Sequence, residues 1–399
     1  MKSKLAGGVL LIVGTCIGGG MLALPVATAA GGFIPSLFLL FMCWAVMTFS
    51  AFLILEVNLW LPHRSNMISM ARKTLGRPGE VVAWASYILL LYSLLAAYIS
   101  GGSAIFHDLL TWIGWVSSPE WISSVLFVMV FGYIVHRGIQ PVDYVNRALM
   151  TVKLGSLIIL VLFALPYLHL KNLTDSHPLL LTSAVTVVLT SFGFSNIVPS
   201  LRSYFDDDVK KLRRVILIGS LIPLFFYIVW EFAILGTLPS AGENGLSEIA
   251  RHGGSATDLA KSLSFYLQNA SITTFAHVFT VICVLTAFLG VSLGLSDFLA
   301  DGLRLEKSGK RNLLITVVTF LPPLAVVIFD PTIFVTALSY AGTFAVILLV
   351  LLPALMAWSG RYRKCFAGRV YEAPGGKAAI SVLIVVALAI IVLGVAQMG

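Results

Sequence analysis

Runs of apolar residues close to 20 positions long, separated by short polar breaks, recur along almost the whole chain. A helix rising 1.5 Å per residue needs about 20 such residues to cross the hydrocarbon of a bilayer. Eleven stretches meet or approach that length: 5–29, 33–61, 81–106, 121–135, 148–165, 179–201, 215–238, 272–299, 313–329, 333–358 and 378–395, the fourth being the shortest. The period-two alternation of a barrel is missing from them, and an isolated strand in lipid leaves its backbone groups unsatisfied, so all are predicted as helices. The pattern predicts an all-α polytopic membrane protein. The longest polar break, 239–270, carries charges of both signs, and within it 246–250 and 259–267 are predicted as short surface helices.

The basic residues fix an orientation for these spans. With the N-terminus placed in the cytoplasm, 22 of the 26 Lys and Arg fall in cytoplasmic segments, while Lys171, Arg251 and Lys261 fall outside and Lys153 lies within a span. Such an imbalance is the positive-inside signature, and removing any one interior span would scramble it. An odd number of spans then puts the C-terminus outside. Only 11% of the residues are charged and 58% are hydrophobic, against about a quarter charged in a soluble domain. A water-soluble enzyme and a disordered chain are both excluded. The net charge of +8 is spread over the connections rather than gathered into one patch, so it reads as topology and not as nucleic-acid binding.

Cys16, Cys43, Cys283 and Cys365 stand far apart, and the seven histidines show no metal-ligand spacing. No disulfide framework, metal or cofactor is expected. Lys2 and Lys4 precede a stretch ending in Val26-Ala27-Thr28-Ala29-Ala30, which loosely resembles a signal-peptidase site. The stretch is too long for a signal core and contains a glycine cluster, so it is read as a retained first span.

Two spans are interrupted. The first contains Gly14-Thr15-Cys16-Ile17-Gly18-Gly19-Gly20 with Pro25 beyond, and the sixth contains Ser191-Phe192-Gly193-Phe194-Ser195-Asn196 with Pro199 beyond. Glycine costs about 1 kcal/mol per residue against alanine inside a helix. By itself the first cluster also admits a reading as a small-residue packing face, the lesser of the two. A matching interruption five spans later, in a helix of opposite direction, is the mark of an inverted-repeat secondary transporter.

Four strings, GTCIGGGMLALP at 14–25, SFGFSNIVPS at 191–200, LGVSLGLSDFLAD at 289–301 and TFLPPLAVVIF at 319–329, resemble the bacterial hydroxy and aromatic amino acid permeases, their tyrosine-specific branch in particular. The similarity runs over nearly the whole chain. It implies a LeuT-like fold with a first five-helix repeat over 1–170, a second, inverted one over 171–360 and an additional eleventh helix in 361–399. It also implies residence in the bacterial inner membrane and proton-driven uptake of an aromatic amino acid by alternating access. A tryptophan or broad aromatic carrier stays open within that class, and a non-transporting amino acid sensor outside it. No nucleophile and base constellation supports an enzyme. The expected partners are the amino acid, the proton and membrane lipid, and the oligomeric state is left open.

A zwitterion entering lipid needs partners for both charged ends. The amides of Ile17, Gly18, Gly19 and Gly20 are expected to receive the carboxylate, aided by the positive end of the helix that follows. The ammonium is expected at carbonyls near Val13, Gly14 and Thr15 in one break, and Thr190 to Phe192, with Ser191 between, in the other. Phe192, Phe194 and Tyr98 are candidate aromatic contacts beside Gly193, although rings in membrane helices are usually packing. Ser195 and Asn196 are the polar candidates for a phenol hydroxyl or an indole N–H, or alternatively caps of a half-helix. Glu56, Asp297 and Asp301 lie near cytoplasmic ends and read as paired structural charges rather than a proton relay, whereas Glu231 sits deeper, in the seventh span, and is a weaker relay candidate. His277 reads equally as a buried hydrogen-bonded side chain. Lys153 lies six residues past Arg147, about 9 Å into its helix. It reads either as a side chain that snorkels to the interface or, as the resemblance implies, as the proton-coupling group bracing the first span against the eighth.

Overall fold

The computed structural model describes residues 2–63, 65–115, 119–174, 178–251, 257–303, 305, 309–366 and 370–396, and among these every regular element is helical. Each of the eleven expected stretches falls on helix. Among the described residues nine are long and apolar enough to cross a membrane, and the first joins them as a pair, Lys4–Cys16 and Gly19–Gly31, bent by 51°. The fourth, Glu120–His136, corrects the expectation of eleven full spans. It has 17 residues, about 26 Å of helix, because Pro119 opens it and Gly138, at φ +98°, ends the turn after it. Of the longest polar break, Leu246–Arg251 and Asp258–Leu267 are the two short helices expected. Residues 252–256, the C-terminal 397–399, and Arg64, Arg304, Lys307 and Arg369 of the charge count lie outside the described residues.

The two most extensive helix contacts pair the third span, Arg77–Trp112, with Phe334–Val346 of the tenth, and the fifth, Ile139–Ala164, with the eighth, Ala270–Leu303. Exchanging every span for the one five places away turns the first of these pairs into the second. The inner half of the first span packs on the seventh, Val209–Thr237, and the sixth packs on the second, Phe33–Leu59.

Prolines inside spans leave carbonyls one turn earlier without a partner, and in lipid those carbonyls must find one on another helix. Pro25 removes the amide that would bond Met21, and Trp230 Nε1 of the seventh span donates to the Met21 carbonyl at 3.0 Å. Pro322 likewise frees Val318, whose carbonyl accepts from the Tyr92 hydroxyl at 2.7 Å. Pro353 frees Leu349, which accepts from Ser50 Oγ. These three devices join spans one and seven, three and nine, and two and ten.

Ionic contacts gather at the end rich in Lys and Arg. Glu56 and Arg361, both buried, form a two-pronged pair, Nε donating to Oε1 at 2.7 Å and the other prong reaching Oε2, which also accepts from the Ala373 amide at 2.8 Å. Glu56 is thus held in a structural pair, as its position suggested. Arg202 donates to the carbonyls of Asn58 and Leu61 at the end of the second span and to Asp207 Oδ1 at 2.5 Å. Its guanidinium, with His63 beside it, holds the Asp207 carboxyl below the usual carboxylate range. Lys4 pairs with Asp206 at the same end, while Lys261 pairs with Asp108 at the other.

Candidate functional site

In the first span the inner half ends at Cys16, Gly18 is extended at φ −149° and ψ −151°, and the outer half, Gly19–Thr28, begins at once. The amides of Gly18, Gly19 and Gly20 donate to no backbone carbonyl. The Ile17 amide is a correction: it still donates to the Val13 carbonyl at 2.9 Å, because the helix holds its last turn until the glycines begin. That bond also occupies Val13. A side chain at Gly20 would put its Cβ 2.9 Å from Ser191 Oγ, and one at Gly19 would collide with the Tyr98 ring. The glycines therefore serve both unwinding and close approach.

The sixth span breaks less. Val185–Ser191 runs into a 3₁₀ turn over Gly193–Ile197 and then into Val198–Tyr204. With one glycine instead of three, most of its carbonyls stay paired: Leu189 accepts from the Phe192 amide at 3.0 Å and Phe192 from the Phe194 amide at 2.8 Å. Ser191 keeps its carbonyl outside this ladder, where the Tyr227 hydroxyl reaches it.

A cavity of about 430 Å³ lies against both breaks, within the range of about 300–1,000 Å³ that holds small ligands. Its wall includes Gly14, Thr15, Ile17, Gly18, Gly20, Tyr98, Ser191, Gly193 and Asn196. Four expected residues do not reach it. Gly19 lies behind Tyr98, and Phe192, Phe194 and Ser195 are fully buried. Phe192 packs edge-on against the Tyr227 ring, with centroids 5.0 Å apart. The 3₁₀ turn advances each residue by about 120° rather than 100°, which carries Asn196 and Gly193 to the cavity face and Ser195 away from it. Ser195 Oγ is buried there with no hydrogen-bond partner. The Asn196 side chain stands beside the Tyr87 hydroxyl, and its Oδ1 has no hydrogen-bond partner.

Lys153 does not snorkel. Its side chain is 1% exposed, and Nζ donates to the Ile17 carbonyl at 2.6 Å and to Thr286 Oγ1 at 3.2 Å. Thr286 spends its own proton on the Ile282 carbonyl at 2.8 Å, so its oxygen is available as an acceptor. One ammonium thus ties the fifth span to the first break and to the eighth span.

Several residues of the site are absent from the sequence reading. The Tyr227 hydroxyl lies 2.7 Å from both the Cys16 and the Ser191 carbonyls, joining the two breaks with one shared proton. Tyr227, Trp230 and Glu231 occupy one face of the seventh span at i, i+3 and i+4, a polar-tipped stripe that is a readable signal in a membrane helix. The third span adds Tyr87 and Leu91 to the wall, and the eighth adds Ala287, Gly290 and Gly294. That small-residue stripe at helical spacing was visible in the sequence too. Among the described residues no group of three His, Cys, Asp or Glu is placed to hold a metal ion.

Compared with known families, residues 1–394 match the tryptophan/tyrosine permease family. The chain belongs to that family. Among curated relatives, it is 34% identical to tyrosine-specific transport system 1 of Haemophilus influenzae, over 98% of this chain and 96% of the relative. It is 33% identical to the tryptophan-specific transport protein of the same organism, over 99% and 96%. Glutamine transporter 2 of Aliivibrio fischeri is 29% identical over 98% and 99%. This permease is accordingly a multi-pass membrane protein of a transport family and not an enzyme.

Proposed function

We propose that this permease imports an aromatic amino acid, tyrosine foremost, together with a proton, by alternating access in a LeuT-like five-plus-five arrangement. In this reading it sits in the bacterial inner membrane with its Lys- and Arg-rich end in the cytoplasm. The unpaired amides of Gly18 to Gly20 receive the carboxylate at the start of the outer half-helix. The carbonyls of Gly14, Thr15 and Thr190 receive the ammonium. The repeat reading is supported by interruptions in spans one and six and by contacts that interchange on a five-place shift. The names of the relatives support tyrosine and tryptophan about equally. An acceptor without a partner at Asn196, beside a tyrosine hydroxyl, favours a substrate that carries a donor on its ring.

The observation that carries the mechanism is the Lys153 ammonium between Ile17 and Thr286. When protonated it braces the broken first span against the eighth; without the proton it loses the charge that makes both contacts strong. Proton binding then favours one conformation, which is the linkage that symport requires. The test is uptake of labelled tyrosine into proteoliposomes. The parent accumulates it under an imposed pH gradient without sodium, and unlabelled tyrosine drives counterflow better than any other amino acid. Lys153→Ala loses the accumulation. Accumulation by Lys153→Ala that a protonophore still collapses places coupling elsewhere, and stronger counterflow by tryptophan moves the substrate.

A further inference from the structure

The seventh span buries a carboxyl group that the mechanism above does not use. Glu231 is fully buried, and both its oxygens lie against one group, Thr28 Oγ1, at 3.0 and 2.9 Å. The same Thr28 oxygen lies 2.9 Å from the Leu24 carbonyl. A hydroxyl has one proton, yet here it faces three acceptors if the acid is ionised. Among the described residues a carboxylate in this place would have at most one donor, would be fully buried, and would lie beside the C-terminal, electronegative end of the half-helix Gly19–Thr28. Protonation resolves the conflict. The acid O–H donates to Thr28 Oγ1, the Thr28 O–H donates to the Leu24 carbonyl, and every polar hydrogen has an acceptor.

Among the described residues no cation bonds to the group. The half-helix Gly19–Thr28 carries no titratable side chain. The neighbouring segment 165–174 brings Tyr167, His169 and Lys171, the second span Cys43 and Glu56, and the inner half of the first span Lys4 and Cys16. The fifth span brings Lys153, the eighth His277 and Cys283, the seventh itself Tyr227, and the short helix Leu246–Arg251, which packs on Gly19–Thr28, brings Glu248 and Arg251, the side chain of Arg251 lying outside the described residues. Among the described residues none of these bonds to the Glu231 carboxyl; Glu56 is paired with Arg361 and Lys153 with Ile17 and Thr286.

The pair is fully buried, and a second cavity lies next to it, lined by its neighbours along the chain. This cavity, of about 500 Å³, opens at the end opposite the basic residues and is lined by Ala29, Ala30, Leu235 and Lys171 among others. Ala29 follows Thr28 directly, and Leu235 lies one helical turn beyond Glu231.

We propose that Glu231 is a proton-binding site that holds its proton at neutral pH and, through Thr28, latches the outer half of the first span to the seventh. When the half-helix swings away, the carboxyl O–H bond breaks, its electron pair stays on the oxygen and the proton passes to water in the outer cavity. The neutral acid stands on the hydrogen-bond geometry alone; its use as a latch rests on the alternating-access reading above.

Infrared difference spectroscopy of the full-length protein in proteoliposomes, parent minus Glu231→Gln, tests the neutral acid. The expected result is a C=O stretching band of a protonated acid at neutral pH, shifted on exchange into D₂O and displaced in Thr28→Val. A carboxylate band in its place overturns the proposal. For the latch, Glu231→Gln keeps the parent's thermal midpoint, since its amide N–H replaces the acid O–H, and loses net proton-driven accumulation of tyrosine. Parental accumulation by that variant overturns the latch. Failure of the parent itself to accumulate tyrosine overturns the transport reading instead, and leaves the infrared result to decide the acid.

Discussion

At the scale of single residues, the structure separates two neighbours that look equivalent in sequence. Asn196 presents an unpaired acceptor at the cavity wall, whereas Ser195 is buried behind it. A pocket built to bond a ring hydroxyl rejects the analogue lacking it, because its own buried group is then left alone, an effect that reaches ~10⁴-fold in the strongest cases. Asn196→Ala should therefore narrow the preference for tyrosine over phenylalanine by about tenfold or more, while Ser195→Ala should leave the ratio close to the parent's. Competition by phenylalanine against labelled tyrosine measures both. An unchanged ratio in Asn196→Ala removes that residue from recognition.

At the scale of elements, the seventh span is the support on which the broken first span rests. Its tyrosine, tryptophan and glutamate meet the first span at Cys16, Met21 and Thr28 in order along the chain. Each contact answers a defect in the first span: a carbonyl freed by the glycine break, a carbonyl freed by Pro25, and a hydroxyl at the end of the half-helix. Tyr227→Phe takes from the Cys16 and Ser191 carbonyls the one hydroxyl that they share, a loss of about 1–3 kcal/mol. Thermal unfolding of the purified protein should register it as a lowered midpoint, and a midpoint equal to the parent's would show that other groups hold the breaks together.

At the scale of the whole molecule, the ionic contacts sort by end in the way the basic residues alternate along the chain. Lys4, Arg202 and Arg361 engage partners at one end and Lys261 at the other. The excess of Lys and Arg at the first of these ends carries the expectation that it faces the cytoplasm. A reporter fused after residue 399 should be active outside the cytoplasm, and one fused at the N-terminus inside. Activity of both fusions on the same side would mean that the chain crosses the membrane an even number of times. The short fourth helix, Glu120–His136, is the span such a result would point to.

The sequence alone determined the helices, their approximate limits and the two interruptions. Twenty apolar residues have no alternative to helix in lipid, and glycine and proline act through the local backbone wherever they fall. It also located Lys153, since a charge inside a span is conspicuous without knowledge of its partners. Only the tertiary structure decided what Lys153 touches, because Ile17 and Thr286 lie 136 and 133 residues away along the chain. The same holds for the face that each residue of the sixth break presents. The string SFGFSN reads alike as an open break or a 3₁₀ turn, and the difference of about 20° per residue is settled by packing against Tyr227 and the second span. Tyr227 and Trp230 went unnoticed as site residues for the same reason: their role is to satisfy carbonyls on another helix, and a carbonyl left free by glycine or proline shows in the sequence only as a need, never as the partner that meets it.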